Sequence, residues 1–134
     1  MNSRIKVVID TNVLVSALWS DNGNPVAILQ LIPQTIVPYF NNEIFIEYID
    51  VLNRPKFDFS SHKKTELLYR IEKYGEMIAT EKSDIPMVDE ADRKFYDAAR
   101  ASGAILITGN IKHYPAEKFI MTAKGFLEME KSSR

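Results

Sequence analysis

The chain has no cysteine, which excludes a disulfide scaffold and any cysteine-ligated zinc site. It has no excess of charge: 17 Lys and Arg stand against 18 Asp and Glu, a formal net charge of -1. Proteins that hold polyanions by bulk attraction are strongly basic, so a nucleic-acid partner here requires local positive charge or a bound cation. Long hydrophobic runs are also missing. The apolar stretch Val7–Ile9 stops at Asp10, behind a single positive charge within Met1–Arg4. A signal peptide needs about 7–15 apolar residues, and no segment approaches the roughly 18 uncharged apolar residues of a membrane span. Repeats, low-complexity tracts and linker-like segments are absent too. The expectation is a soluble, cytoplasmic chain with no membrane association.

What is present is enough apolar material, 46% of 134 residues, for one domain with a packed core. A single domain over residues 1–134 is expected, its last few residues forming a disordered tail. Ile5–Ile9 reads as a strand that is apolar on both faces apart from Lys6, as in a parallel sheet covered on both sides. Thr35–Tyr39, Ala104–Ile107 and Phe119–Met121 are further strand candidates. Helices are expected over Val13–Trp19, over Val26–Leu31 behind an Asn24 cap with Pro25 at its first position, and over Asn42–Asn53 before Pro55. Leu67, Ile71, Tyr74 and Ile78 share one face of a helix over Lys63–Ala79. Residues 57–62 and 81–90 read as loops. Ala91–Ser102 is helical with Gly103 as its C-cap, and a short helix begins at Ala123. Alternating strands and helices make the class α/β around a mainly parallel sheet, whose functional crevice lies beyond the carboxyl ends of the strands.

Three acids bear on that crevice. Asp10 follows an apolar strand at the start of a helix, where it serves equally as a helix cap or as a ligand at the sheet edge. Glu47 shares a helical stripe with Glu43, Asp50 and Arg54, a pattern that also fits a solvated ion-paired face. Asp92 begins the stripe of Phe95, Tyr96 and Ala99, so it faces the packed side, although a first-turn acid favoured by the helix dipole fits as well. Asp97 lies about 140° away around the helix, among Arg93, Lys94 and Arg100, and is expected to be exposed and ion-paired. A hard divalent cation takes oxygen ligands, usually one or two carboxylates plus waters and substrate phosphate. Three acids from distant segments permit such a site without establishing it.

The segments Val8-Ile9-Asp10-Thr11-Asn12-Val13-Leu14, Glu47-Tyr-Ile-Asp-Val-Leu, Asp92-Arg-Lys-Phe-Tyr-Asp-Ala-Ala and Ala104-Ile-Leu-Ile-Thr-Gly-Asn110 occur in order over nearly the whole chain. Together they resemble the PIN-domain family, most of all its branch of toxin components of toxin–antitoxin pairs, the VapC-like ribonucleases. That resemblance implies a three-layer α/β/α fold and an endoribonuclease dependent on Mg²⁺ or Mn²⁺ that hydrolyses RNA phosphodiesters. Asp10, Glu47 and Asp92 match the family's first three acids and would bind the metal and carry catalysis. Asn12 matches a residue that supports the first acid by hydrogen bonding, and Thr108 a supporting Ser or Thr. The resemblance further implies an antitoxin partner and a homodimer.

The fourth acidic position departs from the pattern, because it holds Asn110 where Asp is common. An amide oxygen still ligates a hard cation or holds a metal-bound water, yet brings no charge, which points to one-metal catalysis or low activity. Lys112 and His113, just downstream, are candidates for contacting substrate phosphate, or ordinary surface residues. The incomplete acidic set also raises the alternative of a PIN fold kept as a weak or inactive binding module. Asp10-Thr11-Asn12-Val13 distantly resembles the aspartate-nucleophile phosphatases as well, but Asn12 lacks their second carboxylate.

Overall fold

A computed structural model describes residues 3–134. Five strands, β1 (Ile5–Ile9), β2 (Ile36–Phe40), β3 (Glu76–Met77), β4 (Ile105–Ile107) and β5 (Ile120–Met121), form one parallel sheet in the order β3-β2-β1-β4-β5. Helices α1 (Thr11–Trp19), α2 (Asn24–Gln30), α3 (Asn42–Leu52), α4 (Ser61–Tyr74), α5 (Arg93–Ser102) and α6 (Ala123–Ser132) connect and cover the strands. Val7, Val8 and Ile9 point to alternate faces of β1 and are all fully buried. Both faces of the sheet are therefore covered, which gives the expected three layers. Each such side chain contributes about 1.5–3 kcal/mol relative to an exposed one.

The chain winds outward from β1 to β2 and β3, then crosses back to place β4 and β5 on the other side of β1. The strand order reverses between β1 and β4, and a crevice opens beyond their carboxyl ends at such a switch point. Asp10 follows β1 and Thr108 follows β4, each one residue beyond the Ile9–Ile107 pair.

Several boundaries differ from the sequence reading. The single helix expected over Lys63–Ala79 is corrected to Ser61–Tyr74, capped by the Ser60 hydroxyl, which accepts from the Lys63 amide at 3.1 Å. Gly75 stops it: a Cβ there would fall 2.4 Å from the Ile71 carbonyl oxygen and 2.5 Å from that of Pro38. The chain turns extended and pairs Glu76 and Met77 with Tyr39 and Phe40. The α2 cap is Gly23 rather than Asn24, at φ 111°, and α1 starts two residues early, at Thr11. Gly103 ends α5 in the left-handed conformation, as expected.

Asp97 is the largest correction, because it is buried rather than exposed. Its carboxylate accepts from the Ser83 amide at 2.9 Å and from the Ser83 hydroxyl at 2.6 Å. Arg93, also buried, donates to the Ser83 carbonyl at 2.8 Å and to Glu90. The segment around Ser83 thus covers the helix face expected to meet solvent. At the C-terminal end, α6 runs to Ser132 and Arg134 makes two 2.9 Å bonds to the Glu130 carboxylate.

Candidate metal centre

Asp10 occupies the cap position of α1, yet its side chain makes no capping bond. Its backbone amide continues the sheet, donating to the Ile107 carbonyl at 2.9 Å. That pairing sets Asp10 beside Thr108, whose hydroxyl donates to Asp10 Oδ2 at 2.8 Å. The Tyr114 hydroxyl donates to the same oxygen at 2.8 Å. Asp10 is 6% exposed, and burial raises its pKa, opposed by the Tyr114 and Thr108 hydroxyls and reinforced by the charge of Glu47. A carboxylate buried this deeply, with donors on one oxygen, is not the simple helix cap that the sequence also allowed.

Glu47 departs from the solvated stripe around it. Asp50 and Arg54 form the exposed pair at 3.2 Å, whereas Glu47 turns toward the crevice with 27% of its side chain exposed. Its Oε2 accepts from the Thr11 hydroxyl at 2.5 Å, and its Oε1 lies 2.8 Å from Lys94 Nζ. Beneath it, the buried Tyr48 hydroxyl donates to the Ile9 carbonyl at 2.5 Å and ties α3 to the end of β1. Lys94 is 14% exposed at its side chain and lies over the Phe95 ring.

Asp92 stands in the 3₁₀ turn Glu90–Asp92 that leads into α5 and makes no capping bond. Its carboxyl is 18% exposed, and its pKa is raised to about 6 by burial first, then by the charges of Asp10 and Asp89. His113 Nδ1 lies 3.8 Å from Asp92 Oδ2, so His113 borders the acids, while Lys112 stays exposed. The Asn110 backbone N–H donates to Thr108 Oγ1 at 3.0 Å, extending the line Asn110–Thr108–Asp10. Asn12 supports the Asp10 carboxyl through its backbone amide, which lowers that pKa, while its side chain turns elsewhere. Its Oδ1 accepts from the Gly109 amide at 3.1 Å and braces the turn after β4 instead.

The donor set is all oxygen, with Asp10, Asp92 and Glu47 as carboxylates and Asn110 as an amide, which suits Mg²⁺ or Mn²⁺. Among the described residues no three His, Asp or Glu side chains stand together at metal-ligand spacing, and Glu47 is engaged by Lys94 and Thr11. Mg²⁺ needs only one or two protein carboxylates, its remaining positions going to water and phosphate. Asp10 and Asp92, each raised partly by a neighbouring carboxylate, supply negative charge that a cation would relieve. The set fits such an ion on chemistry and charge.

The structure adds three residues that the sequence reading left without a role at the acids: Thr11, Lys94 and Tyr114. Lys94 was placed with the Asp97 side of α5, but its long stem carries the ammonium to Glu47. Tyr114 reaches Asp10 across 104 residues of chain, and no local pattern marks it.

Comparison with known proteins places the chain in a family and a fold. A family model described as a PIN domain matches residues 6–112. An uncharacterized protein of Methanocaldococcus jannaschii, MJ1680, is 36% identical over 111 residues, covering 80% of this chain and 72% of its own length. A chain of the VapBC2 complex of Rickettsia felis, crystallised with a DNA fragment from their promoter, superposes with a TM-score of 0.55. At 18% identity over 81% of this chain and 90% of the other, it shares the fold. By the extent of the family match and of the archaeal relative, the chain belongs to the PIN-domain family.

Proposed function

We propose that the protein is a divalent-metal-dependent endoribonuclease that hydrolyses RNA phosphodiesters at Asp10, Glu47 and Asp92. The observation that carries this reading is Asp10: a deeply buried carboxylate at the switch point of a parallel sheet, aligned by two hydroxyls, with a second acid crowded beside it. PIN-domain membership supports a nuclease class.

Bound among these oxygens, Mg²⁺ or Mn²⁺ supplies an activated water and neutralises charge on the leaving oxygen. Asp10 and Asp92 would hold the ion, with Asn110 as a neutral ligand or an anchor for its water. Thr108 and Tyr114 both donate to Asp10 Oδ2 and so hold the carboxylate in one orientation. Glu47 would join once Lys94 releases it, and His113, beside Asp92, and the exposed Lys112 would contact substrate phosphate. The proposal extends to a toxin role with an antitoxin partner and a homodimer, in the cytoplasm, within one domain over residues 1–134; the fold shared with a chain of the VapBC2 complex is in keeping with the toxin role.

A cleavage assay on single-stranded and structured RNA tests the proposal. Cleavage should require Mn²⁺ or Mg²⁺ and vanish in Asp10→Asn and Glu47→Gln. Equal cleavage by those variants would identify a contaminant.

A second reading, a PIN fold retained as a weak or inactive binding module, is favoured by Asn110 at the fourth acidic position and by Lys94 already seated on Glu47. Thermal melting in Mn²⁺ separates the two, since a ligand that binds the native state alone raises the midpoint. No rise at millimolar Mn²⁺ favours the binding module.

A further inference from the structure

Two clefts open beside the acids. One, of about 300 Å³, lies between α3, residues 80–82 and the start of α5, and includes Lys94. The other, of about 400 Å³, lies between α1, the start of α2, the Thr108–Asn110 turn and the start of α6. Both lie near or within the range of small-ligand sites, about 300–1,000 Å³, so volume does not choose between them. Charge does.

Glu43, Glu81, Glu90 and Asp97 line the first cleft. Its cations are already paired: Lys94 with Glu47, and both Arg93 and Lys82 with Glu90. A phosphodiester entering there meets four carboxylates and three engaged cations. The second cleft has no carboxylate in its lining, and its single cation, Lys124, is exposed and has no ion-pair partner among the described residues. Val13, Pro25 and Ala123 give it apolar surface, and Ser16 and Asn24 give it polar groups. A nucleotide calls for this combination: a point charge for phosphate, apolar surface against sugar or base, and donors and acceptors for a base edge or 2′-hydroxyl. The cleft also shares Thr108 and Asn110 with the acid site, and Thr108 bonds Asp10 directly.

We infer that the second cleft is a subsite for one nucleotide of the RNA strand next to the scissile phosphate, with Lys124 on a backbone phosphate. The inference rests on the phosphodiesterase reading and adds the side of the acids on which the strand lies.

Fluorescence anisotropy with a fluorescein-labelled single-stranded RNA octamer tests it, at near-physiological salt so that long-range attraction is screened. The Asp10→Asn chain serves as the uncleaving background and Asp92→Asn as a second. Into these go Lys124→Glu, which reverses the charge, Ser16→Tyr, which fills the cleft without changing charge, and Lys82→Glu in the other cleft. Both second-cleft variants should weaken binding by roughly tenfold, and Lys82→Glu by less than about twofold. The subsite stands if both weaken binding more than about threefold and more than Lys82→Glu does. Any other pattern, including no binding to either background, overturns it. Circular dichroism checks folding, and the exposed Lys124 variant decides alone if Ser16→Tyr does not fold. Cleavage by the unmutated chain in Mn²⁺ is scored separately. Cleavage with unchanged binding overturns the subsite and keeps the nuclease reading, whereas weakened binding without cleavage overturns the nuclease reading and leaves the cleft as an RNA-binding site with no scissile phosphate beside it.

Discussion

The ammonium of Lys94 lies 2.8 Å from Oε1 of Glu47, while Thr11 donates to Oε2, so both oxygens of this acid are engaged by the protein itself. Lys94 supplies the positive charge that the neighbouring carboxylates otherwise lack. Lys94→Met keeps most of the apolar stem and removes that charge. The metal-free protein should lose about 1–3 kcal/mol, the cost of leaving a partly buried acid without its partner. A cation in the same place restores the balance, so the rise in melting temperature on adding Mn²⁺ should exceed that of the unmutated chain. Differential scanning fluorimetry in EDTA and in Mn²⁺ measures both effects. An unchanged Mn²⁺ increment would mean that Lys94 and the metal do not share a carboxylate.

Tyr114 is the second long-range partner, donating to Asp10 at 2.8 Å from a buried position. Burial and the Asp10 charge raise its own pKa, so it remains a protonated donor. Tyr114→Phe removes a bond that favours ionised Asp10, and the Asp10 pKa rises further. Outer partners of metal ligands are typically worth about 10–100-fold in affinity or activity, and a similar loss in Mn²⁺ affinity is expected here. Because the defect lies in ionisation, it should be larger at pH 6 than at pH 8. A loss that is flat across that range would assign Tyr114 to packing alone.

Gly75 predicts a defect of a different kind. A methyl group there meets two carbonyl oxygens of the backbone, at Ile71 and Pro38, which cannot rotate aside. Gly75→Ala should cost about 1–3 kcal/mol through overpacking and should leave Mn²⁺ affinity unchanged, since β3 lies at the sheet edge opposite β4 and β5. Urea unfolding with and without Mn²⁺ checks both parts. A change in metal affinity would show that this edge is coupled to the acids.

The limits of the sequence reading follow from the same residues. β1 and β4 are legible because strands covered on both faces need unbroken apolar runs, and Ile5–Ile9 and Ile105–Ile107 nearly provide them. Asp10 and Thr108 are legible as the residues that follow those runs. β3 is not, because it has two residues, Glu76 and Met77, both exposed, and the helical spacing of Leu67, Ile71, Tyr74 and Ile78 continues past it. Asp97 was misplaced because its partner, Ser83, lies in a polar segment without periodicity, and only the folded chain brings that segment onto α5. The phase of α5 did set Asp92 and Asp97 on different sides, one toward the acids and one toward Ser83. Lys94 and Tyr114 escaped because a long stem and a contact across the chain leave no trace in spacing.

Asp92 makes the site's pH dependence specific. Its carboxyl rises from an ordinary 3.8 to about 6, mainly through burial, with Asp10 and Asp89 adding and His113 and Lys94 opposing. A group whose folded pKa is raised contributes stability that is complete below the unfolded value and is lost as pH rises through the folded one. Metal-free protein should therefore lose stability relative to Asp92→Asn between about pH 4 and pH 6, with little further change above about pH 7. Metal reverses the order. Only the ionised carboxylate is a good ligand, so in saturating Mn²⁺ the unmutated chain should become the more stable of the two above about pH 6. Melting temperatures of both proteins, taken across this range in EDTA and in Mn²⁺, decide the matter. A constant gap in EDTA would remove Asp92 from the cluster of interacting acids, and the absence of a crossing in Mn²⁺ would remove it from the metal.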